Sequence, residues 1–375
     1  MMFRMRHRRR IRFVVPYAIL ALFPLLLTPG PAARDYPSPP KPEPAAERLA
    51  AGAAVRWAPW PTLDWALSSP EARDMDDAEL ERAFDYARNR RSQALLVIRH
   101  GYVVKEWYAY PWTKHTTQSG YSVAKSFTSC LIGMLIDEGR ISGPDQRASD
   151  WITQWRGKEH EAITIRHLLS MTSGIYCTLN SDYVDLLTAP NQTLYALGLP
   201  LEAEPGRHWE YNNAAVQALA EVILKASGRQ AKDYARERLW SVIGMWNADW
   251  LTDETGNTLT YQSVIASARE FAKFGYLFLR RGKWVSRQVV SAGWVDQSAR
   301  PSQSLNRRYG FLWWTNHDGD YWKDVPADAY AAVGAFNQRV YVVPSLDLVV
   351  VRLGEEDFQW SDNAFLGPVC KAALR

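Results

Sequence analysis

Ser122 and Lys125 stand three residues apart in Gly120-Tyr121-Ser122-Val123-Ala124-Lys125. On a helix that spacing brings a hydroxyl and an amine to one face. A serine hydroxyl is a weak nucleophile until a neighbouring base takes its proton, and a lysine held within reach can do this. The apolar residues Val123, Phe127, Cys130, Leu131 and Met134 follow at helical spacing, and Gly139 supplies a stop. The pattern predicts a buried helix whose first turn carries Ser122. First-turn backbone N–H groups lack partners inside the helix and sit at the positive end of its dipole. The same spacing also suits a helix-capping serine beside a solvated lysine. It recurs without such a setting at Ser38-Pro39-Pro40-Lys41.

Two further stretches could complete the chemistry. Tyr211-Asn212-Asn213 follows a turn at Pro205-Gly206 and precedes a helical pattern. A positive neighbour favours a phenolate, so Tyr211 near Lys125 could carry a proton from Ser122 to a leaving group. Asn213 could position the substrate, or it could simply cap the helix. Ala329–Val333 reads as a strand, and Gly334 bends it. Glycine there allows close approach, and the N–H of Ala335 could join that of Ser122 in holding an oxyanion.

The elements that must position these groups change period along the chain. Asp76–Arg90 reads as an amphipathic helix, and Ala94–Ile98 with Tyr102–Tyr110 as a hairpin turning at His100-Gly101. Helical patterns then run through Ile163–Gly174, Ala214–Ser227, Ala231–Trp240 and Ser267–Arg281. Strand patterns return at Tyr309–Thr315, Ala329–Val333, Gln338–Val343 and Leu348–Leu353, before a closing helix at Ser361–Leu374. The expected fold is α+β: an antiparallel sheet flanked by helices and built from both chain ends, with an all-helical domain inserted. The expected division is an α/β domain from 57–140 and 285–375 and a helical domain from 141–284.

Residues 1–12 hold six Arg and no acid, and Phe13–Leu27 is apolar. Small residues and prolines follow to Ala33. This is the order of an export signal, or of an uncleaved membrane anchor, over residues 1–33. A Pro/Ala-rich linker follows at 34–56, and Trp57–Pro70 is expected to lie extended over the body. Removing the six Arg turns the net charge of +4 into −2, which gives no reason to expect a nucleic-acid partner. The expected location is outside the cytoplasm, in the periplasm or beyond, with membrane contact only through the N-terminus. Cys130, Cys177 and Cys370 are an odd number, and Cys130 falls on the apolar helix face as a free thiol. No His or Cys pair has metal-ligand spacing, so neither metal nor cofactor is expected. Seventeen Trp point to an aromatic core or an aromatic-lined cleft.

Taken in order, these stretches resemble the serine β-lactamase-like superfamily, near class C β-lactamases, D-alanyl-D-alanine carboxypeptidases and 6-aminohexanoate-dimer hydrolases. Ser122-Val123-Ala124-Lys125 resembles its nucleophile motif, Tyr211-Asn212-Asn213 its Tyr-x-Asn motif, and Ile163–Gly174 a third signature. The resemblance implies a site between the two domains, with Ser122 acylated by a small ester, amide or peptide-like substrate. Class C β-lactamases and carboxypeptidases carry Lys or His where Ala332 stands in Ala332-Val333-Gly334. Losing that cation removes a partner for a substrate carboxylate and moves the expectation toward esterase or amidase chemistry. His317-Asp318-Gly319 matches the His form by letters, but its composition is that of a turn. The alternatives are a β-lactamase or D-alanyl-D-alanine carboxypeptidase, and an exported binding module that keeps the fold without turnover. An α/β-hydrolase would need a buried strand before Ser122, where Thr113–Ser119 is polar.

Overall fold

The structure, a computed structural model, describes residues 59–373. The expected leader at 1–33, the linker at 34–56 and Ser38–Lys41 lie outside the described residues. After β1 (Ala66–Leu67) come α1 (Asp77–Arg88) and a hairpin of β2 (Ser92–Arg99) and β3 (Tyr102–Tyr108). β4 (Thr117–Ser119) leads through a 3-10 turn, Tyr121–Val123, into α2 (Ala124–Asp137). The middle of the chain is helical: α3 (Ile165–Leu169), α4 (Leu186–Thr188), α5 (Gln192–Gly198), α6 (Asn213–Ser227), α7 (Ala231–Ala235) and α8 (Ser241–Ile243). β5 (Asp249–Trp250) and β6 (Val264–Ser267) precede α9 (Ala268–Leu279). β7 (Lys283–Trp284), β8 (Arg287–Gln288) and α10 (Ala292–Ser298) follow. β9 (Trp314–Thr315), β10 (Tyr330–Gly334), β11 (Gln338–Val343), β12 (Leu348–Gly354) and α11 (Asp362–Ala372) close the chain.

The main sheet has the order β1-β3-β2-β12-β11-β10-β9 and is antiparallel except where β1 meets β3. The hairpin from one end of the chain and the strands from the other meet where β2 pairs with β12. Side chains alternate across this sheet, as the pleat requires. Leu95, Val97, Tyr341 and Val350 pack with Phe84 of α1 and Phe365 of α11 on one face. Leu96, Ile98, Val340 and Val349 join Phe271 and Phe274 of α9 in the larger core on the other. α9 therefore lies against the sheet, held there by Gly275, whose missing side chain admits Val340 and Val349. The expected domain boundary at 284 is corrected on this point: the chain returns to the sheet layer at α9.

Other expectations shift for local reasons. Tyr309–Thr315 is expected as a strand, but only Trp314–Thr315 pairs with β10. Leu312 has φ +60° and Gly310 presses against the Ser298 carbonyl, so the chain buckles there. Ala231–Trp240 starts as α7 and finishes as a π-helical turn from Arg236. Trp60 and Trp65 insert against Tyr276 rather than lying over the surface. α2 is buried on every face from Ala124 to Leu135, because α6, α7 and β10 pack on it and Phe127 stacks on Phe274 of α9. Its hydroxyls find carbonyls, Ser126 donating to Leu312 at 2.8 Å and Thr128 to Thr260 at 2.6 Å.

Candidate active site

Ser122 sits on the 3-10 turn just ahead of α2, one step earlier than the expected first α-helical turn. The turn is held in a strained form. Tyr121 has φ +48°, a region that residues with a Cβ rarely adopt. The Tyr121 N–H donates to Ser119 Oγ at 3.1 Å, and its carbonyl accepts from Ser263 N–H at 3.0 Å. Its ring packs 4.7 Å from that of Phe336. These contacts over-determine the geometry that presents Ser122, itself partly exposed at the end of a buried helix.

Lys125 projects from α2 toward Ser122. Its Nζ lies 3.0 Å from Ser122 Oγ, 2.6 Å from Asn213 Oδ1 and 2.8 Å from the Tyr261 carbonyl oxygen. The amine also stands 4.8 Å from the centre of the Tyr211 ring. Lys125 is 1% exposed, and burial pulls its pKa well below the ordinary lysine range, with the Asp182 carboxylate opposing. An amine in this state can be neutral near pH 7 and accept the Ser122 proton.

Tyr211 reaches the same point from the turn before α6, with its ring beside the Lys125 amine. The expectation that a neighbouring lysine favours the phenolate is corrected here. Burial, with Tyr183 and Asp182 nearby, pushes the Tyr211 pKa far above its ordinary value. The phenol stays protonated, which suits a donor to a leaving group. Its ring stacks 6.3 Å from Trp314 and meets Tyr309 edge-on. The segment around α3 holds this turn in place. Thr164 and His167 form a capping box at the start of α3. At the end of the segment, Met171 accepts the Glu210 N–H at 3.0 Å.

Asn213 is placed differently from its expected role. Asn212 caps α6, accepting the Ala215 N–H at 2.8 Å, and Asn213 is the first helical residue. Asn213 is 4% exposed and its side-chain carbonyl accepts from Lys125 Nζ, so it orients the lysine.

Gly334 and Ala335 close the site from the sheet. β9 covers only Tyr330 and Ala331, which leaves Ala332–Gly334 without a strand partner on that side. The N–H groups of Ser122 and Ala335 have no hydrogen-bond partner among the described residues, whereas those of Gly120 and Val123 are taken. Two free N–H groups on opposing backbones are the requirement for an oxyanion site. Ala332 lies on the face toward α9 and is completely buried, so it opens onto no cleft. His317-Asp318-Gly319 is a turn, with Asp318 paired to Arg307.

Sequence reasoning missed Asp182, the Tyr261 carbonyl and Trp314. None had a motif, although Trp314 was within the aromatic excess. Among the described residues six Trp are fully buried, so that excess serves mainly the core, while Trp209 and Trp314 stand with Tyr309 beside Tyr211. Cys130, Cys177 and Cys370 are all free thiols. Among the described residues there is no group of three His, Cys, Asp or Glu placed to hold a metal ion.

A family profile described as Beta-lactamase matches residues 78–359. The chain belongs to the beta-lactamase family. Within this family it is 25% identical over 308 residues to the 6-aminohexanoate-dimer hydrolase of Paenarthrobacter ureafaciens, covering 72% of this chain and 73% of the relative. A Bacillus anthracis structure assigned as a 6-aminohexanoate-dimer hydrolase superposes with TM-score 0.70 at 21% identity, over 84% of this chain and 88% of that one. A family VIII carboxylesterase superposes with TM-score 0.62 at 14% identity, over 79% and 96%. The beta-lactamase-family fold, with its mixed sheet and helices, is common to all of them.

Proposed function

We propose that the chain is an exported serine hydrolase that cleaves ester or amide bonds through an acyl-enzyme on Ser122. The observation that carries this reading is the 3.0 Å contact between Lys125 Nζ and Ser122 Oγ, with the amine buried and held by Asn213 and Tyr261. Neutral Lys125 takes the proton of Ser122 as Oγ attacks the carbonyl carbon. The N–H groups of Ser122 and Ala335 receive the negative charge on the carbonyl oxygen. Tyr211 gives its proton to the departing oxygen or nitrogen, and the Lys125 ammonium returns one to Tyr211. Water then replaces the leaving group, and the proton transfers run in reverse.

The favoured substrates are short uncharged esters and small linear or cyclic amides, since Arg307 and Arg308 are already paired with Asp318 and Asp320 and the groups beside Tyr211 are aromatic. The amide part of this reading is supported by the relative named for 6-aminohexanoate dimer. Export is supported by the Arg-rich start and the apolar run Phe13–Leu27. N-terminal sequencing of protein from fractionated native cells tests it, and a soluble cytoplasmic form retaining Met1 refutes it.

Intact-mass analysis after incubation with a fluorophosphonate tests the nucleophile. A single adduct mapped to Ser122 and absent from Ser122→Ala is expected. The same substitution should cut p-nitrophenyl ester turnover by several orders of magnitude, since removing a nucleophile from a coupled set costs about 10⁶ in a comparable hydrolase. Wild-type turnover by Ser122→Ala would overturn the assignment.

A further inference from the structure

Behind Lys125 and Asn213 lies a carboxylate that the proposed reaction does not use. Asp182 is 1% exposed, in the turn between Thr178 and α4. Its two oxygens accept the Asn213 N–H at 2.9 and 3.1 Å, and one also accepts the Ala214 N–H at 3.1 Å. These are the first N–H groups of α6, which have no partner inside the helix. The side chain of the same Asn213 accepts Lys125 Nζ at 2.6 Å. Asn213 is thus gripped from behind by Asp182 and loaded in front by Lys125. The turn is itself fixed, with Ser181 and Thr178 exchanging hydrogen bonds and the Ser181 carbonyl accepting Tyr195 OH at 3.2 Å.

We propose that Asp182 is a positioning residue of the hydrolytic site, which fixes Asn213 and thereby the amine of Lys125 against Ser122, and which supplies the buried negative charge that Lys125 faces. This rests on the reading of Ser122 and Lys125 as nucleophile and base. The groups around Asp182 are Lys125 from α2, Glu210 and Tyr211 from the turn before α6, Tyr195 from α5, Tyr261 from the stretch before β6, and Cys177 and Tyr183 on its own segment. Lys125 is the one cation among them. Removing the Asp182 charge should make Lys125 lose its proton at lower pH. Loosening Asn213 should let the amine drift from Ser122, and misplacement of about 1 Å can cost about 10²-fold in rate.

The test is Asp182→Asn, which keeps the size and an acceptor oxygen but no charge, and Asp182→Ser, which removes the charge and shortens the reach to Asn213. Active sites are counted by fluorophosphonate titration, so that rates refer only to folded, acylable protein. Both variants should lose about 10- to 100-fold in kcat per site with KM little changed, and their acid limb in kcat/KM should move to lower pH. If kcat per titrated site and the position of the limb both equal those of wild type while only Tm falls, Asp182 merely supports the start of α6 and the proposal is overturned. Ser122→Ala run in parallel separates the two readings. If Ser122→Ala is active, the hydrolase reading itself fails. If Ser122→Ala is dead and the Asp182 variants match wild type, only the role of Asp182 fails.

Discussion

A Cβ placed on Gly334 would lie 2.0 Å from the carbonyl oxygen of Gly120. β10 therefore passes against the turn that carries Ser122 with no room for a side chain between the two backbones. This contact sets the separation of the Ser122 and Ala335 N–H groups. Gly334→Ala must push the backbones apart, since neither partner is a flexible side chain. The expected result is a loss of about 1–3 kcal/mol in stability. A fall of about 10²-fold in kcat should accompany it as the oxyanion donors separate. Thermal melts and ester kinetics on the same preparation check both, and wild-type kcat in a folded Gly334→Ala protein would remove this contact from the mechanism.

The pH dependence follows from Lys125. Burial lowers its pKa to about 7. The proposed reaction needs the neutral amine, so kcat/KM should rise with pH through about 7 and then level. Tyr211 is held above its ordinary range, so no falling limb is expected below about pH 10. Lys125→Arg keeps the charge but cannot release its proton, and should lose about 10²–10⁴-fold at every pH. A pH–rate profile with p-nitrophenyl acetate, corrected for spontaneous hydrolysis, decides this. A flat profile from pH 5 to 9 would show that Lys125 is not the base.

Much of this site was legible because its residues obey local rules. The Ser122–Lys125 spacing, the helix after Asn212 and the glycine at 334 are each visible within a few residues. The short, near-continuous apolar runs in β2, β11 and β12 announced a sheet from both chain ends, and these strands are buried on both faces. Asp182 was not legible, since its meaning comes from Asn213 and Ala214, 31 and 32 residues away. The protonated state of Tyr211 was not legible either: sequence gives a charged neighbour but not the burial that outweighs it. α9 was read correctly as a helix and placed in the wrong layer. Its partners Val340 and Val349 lie far along the chain, and nothing local to α9 names them.

Tyr211→Phe separates the phenol from the ring. The ring should still stack on Trp314 and Tyr309, so Tm should stay within a few degrees of wild type. The hydroxyl proposed to serve the leaving group is gone, and kcat should fall about 10²–10⁴-fold. The loss should be smaller for p-nitrophenyl esters, whose leaving group departs without a proton, than for alkyl esters or anilides. Equal losses across that series would argue that Tyr211 acts on Ser122 alone.

The last prediction concerns which substrates the site rejects. A carboxylate taken out of water needs a cation or several N–H groups to replace its hydration. Position 332 is an alanine with no exposed surface, so it supplies none. Arg307 and Arg308 on the neighbouring loop are already paired, with Asp318 at 2.7 Å and Asp320 at 2.7 Å. Lys125 is committed to Ser122, Asn213 and Tyr261. The groups beside Tyr211 are instead aromatic: Trp209, Tyr309 and Trp314. kcat/KM should therefore be at least about 10²-fold higher for short-chain esters than for a cephalosporin or a D-alanyl-D-alanine peptide, the scale set by an unpaired charge in a buried site. Ala332→Lys is not a clean way to restore carboxylate binding, because a long side chain at a completely buried position first disrupts packing by about 1–3 kcal/mol. The wild-type comparison is the decisive one, and cephalosporin hydrolysis as efficient as ester hydrolysis would mean that a carboxylate is held by a group other than residue 332.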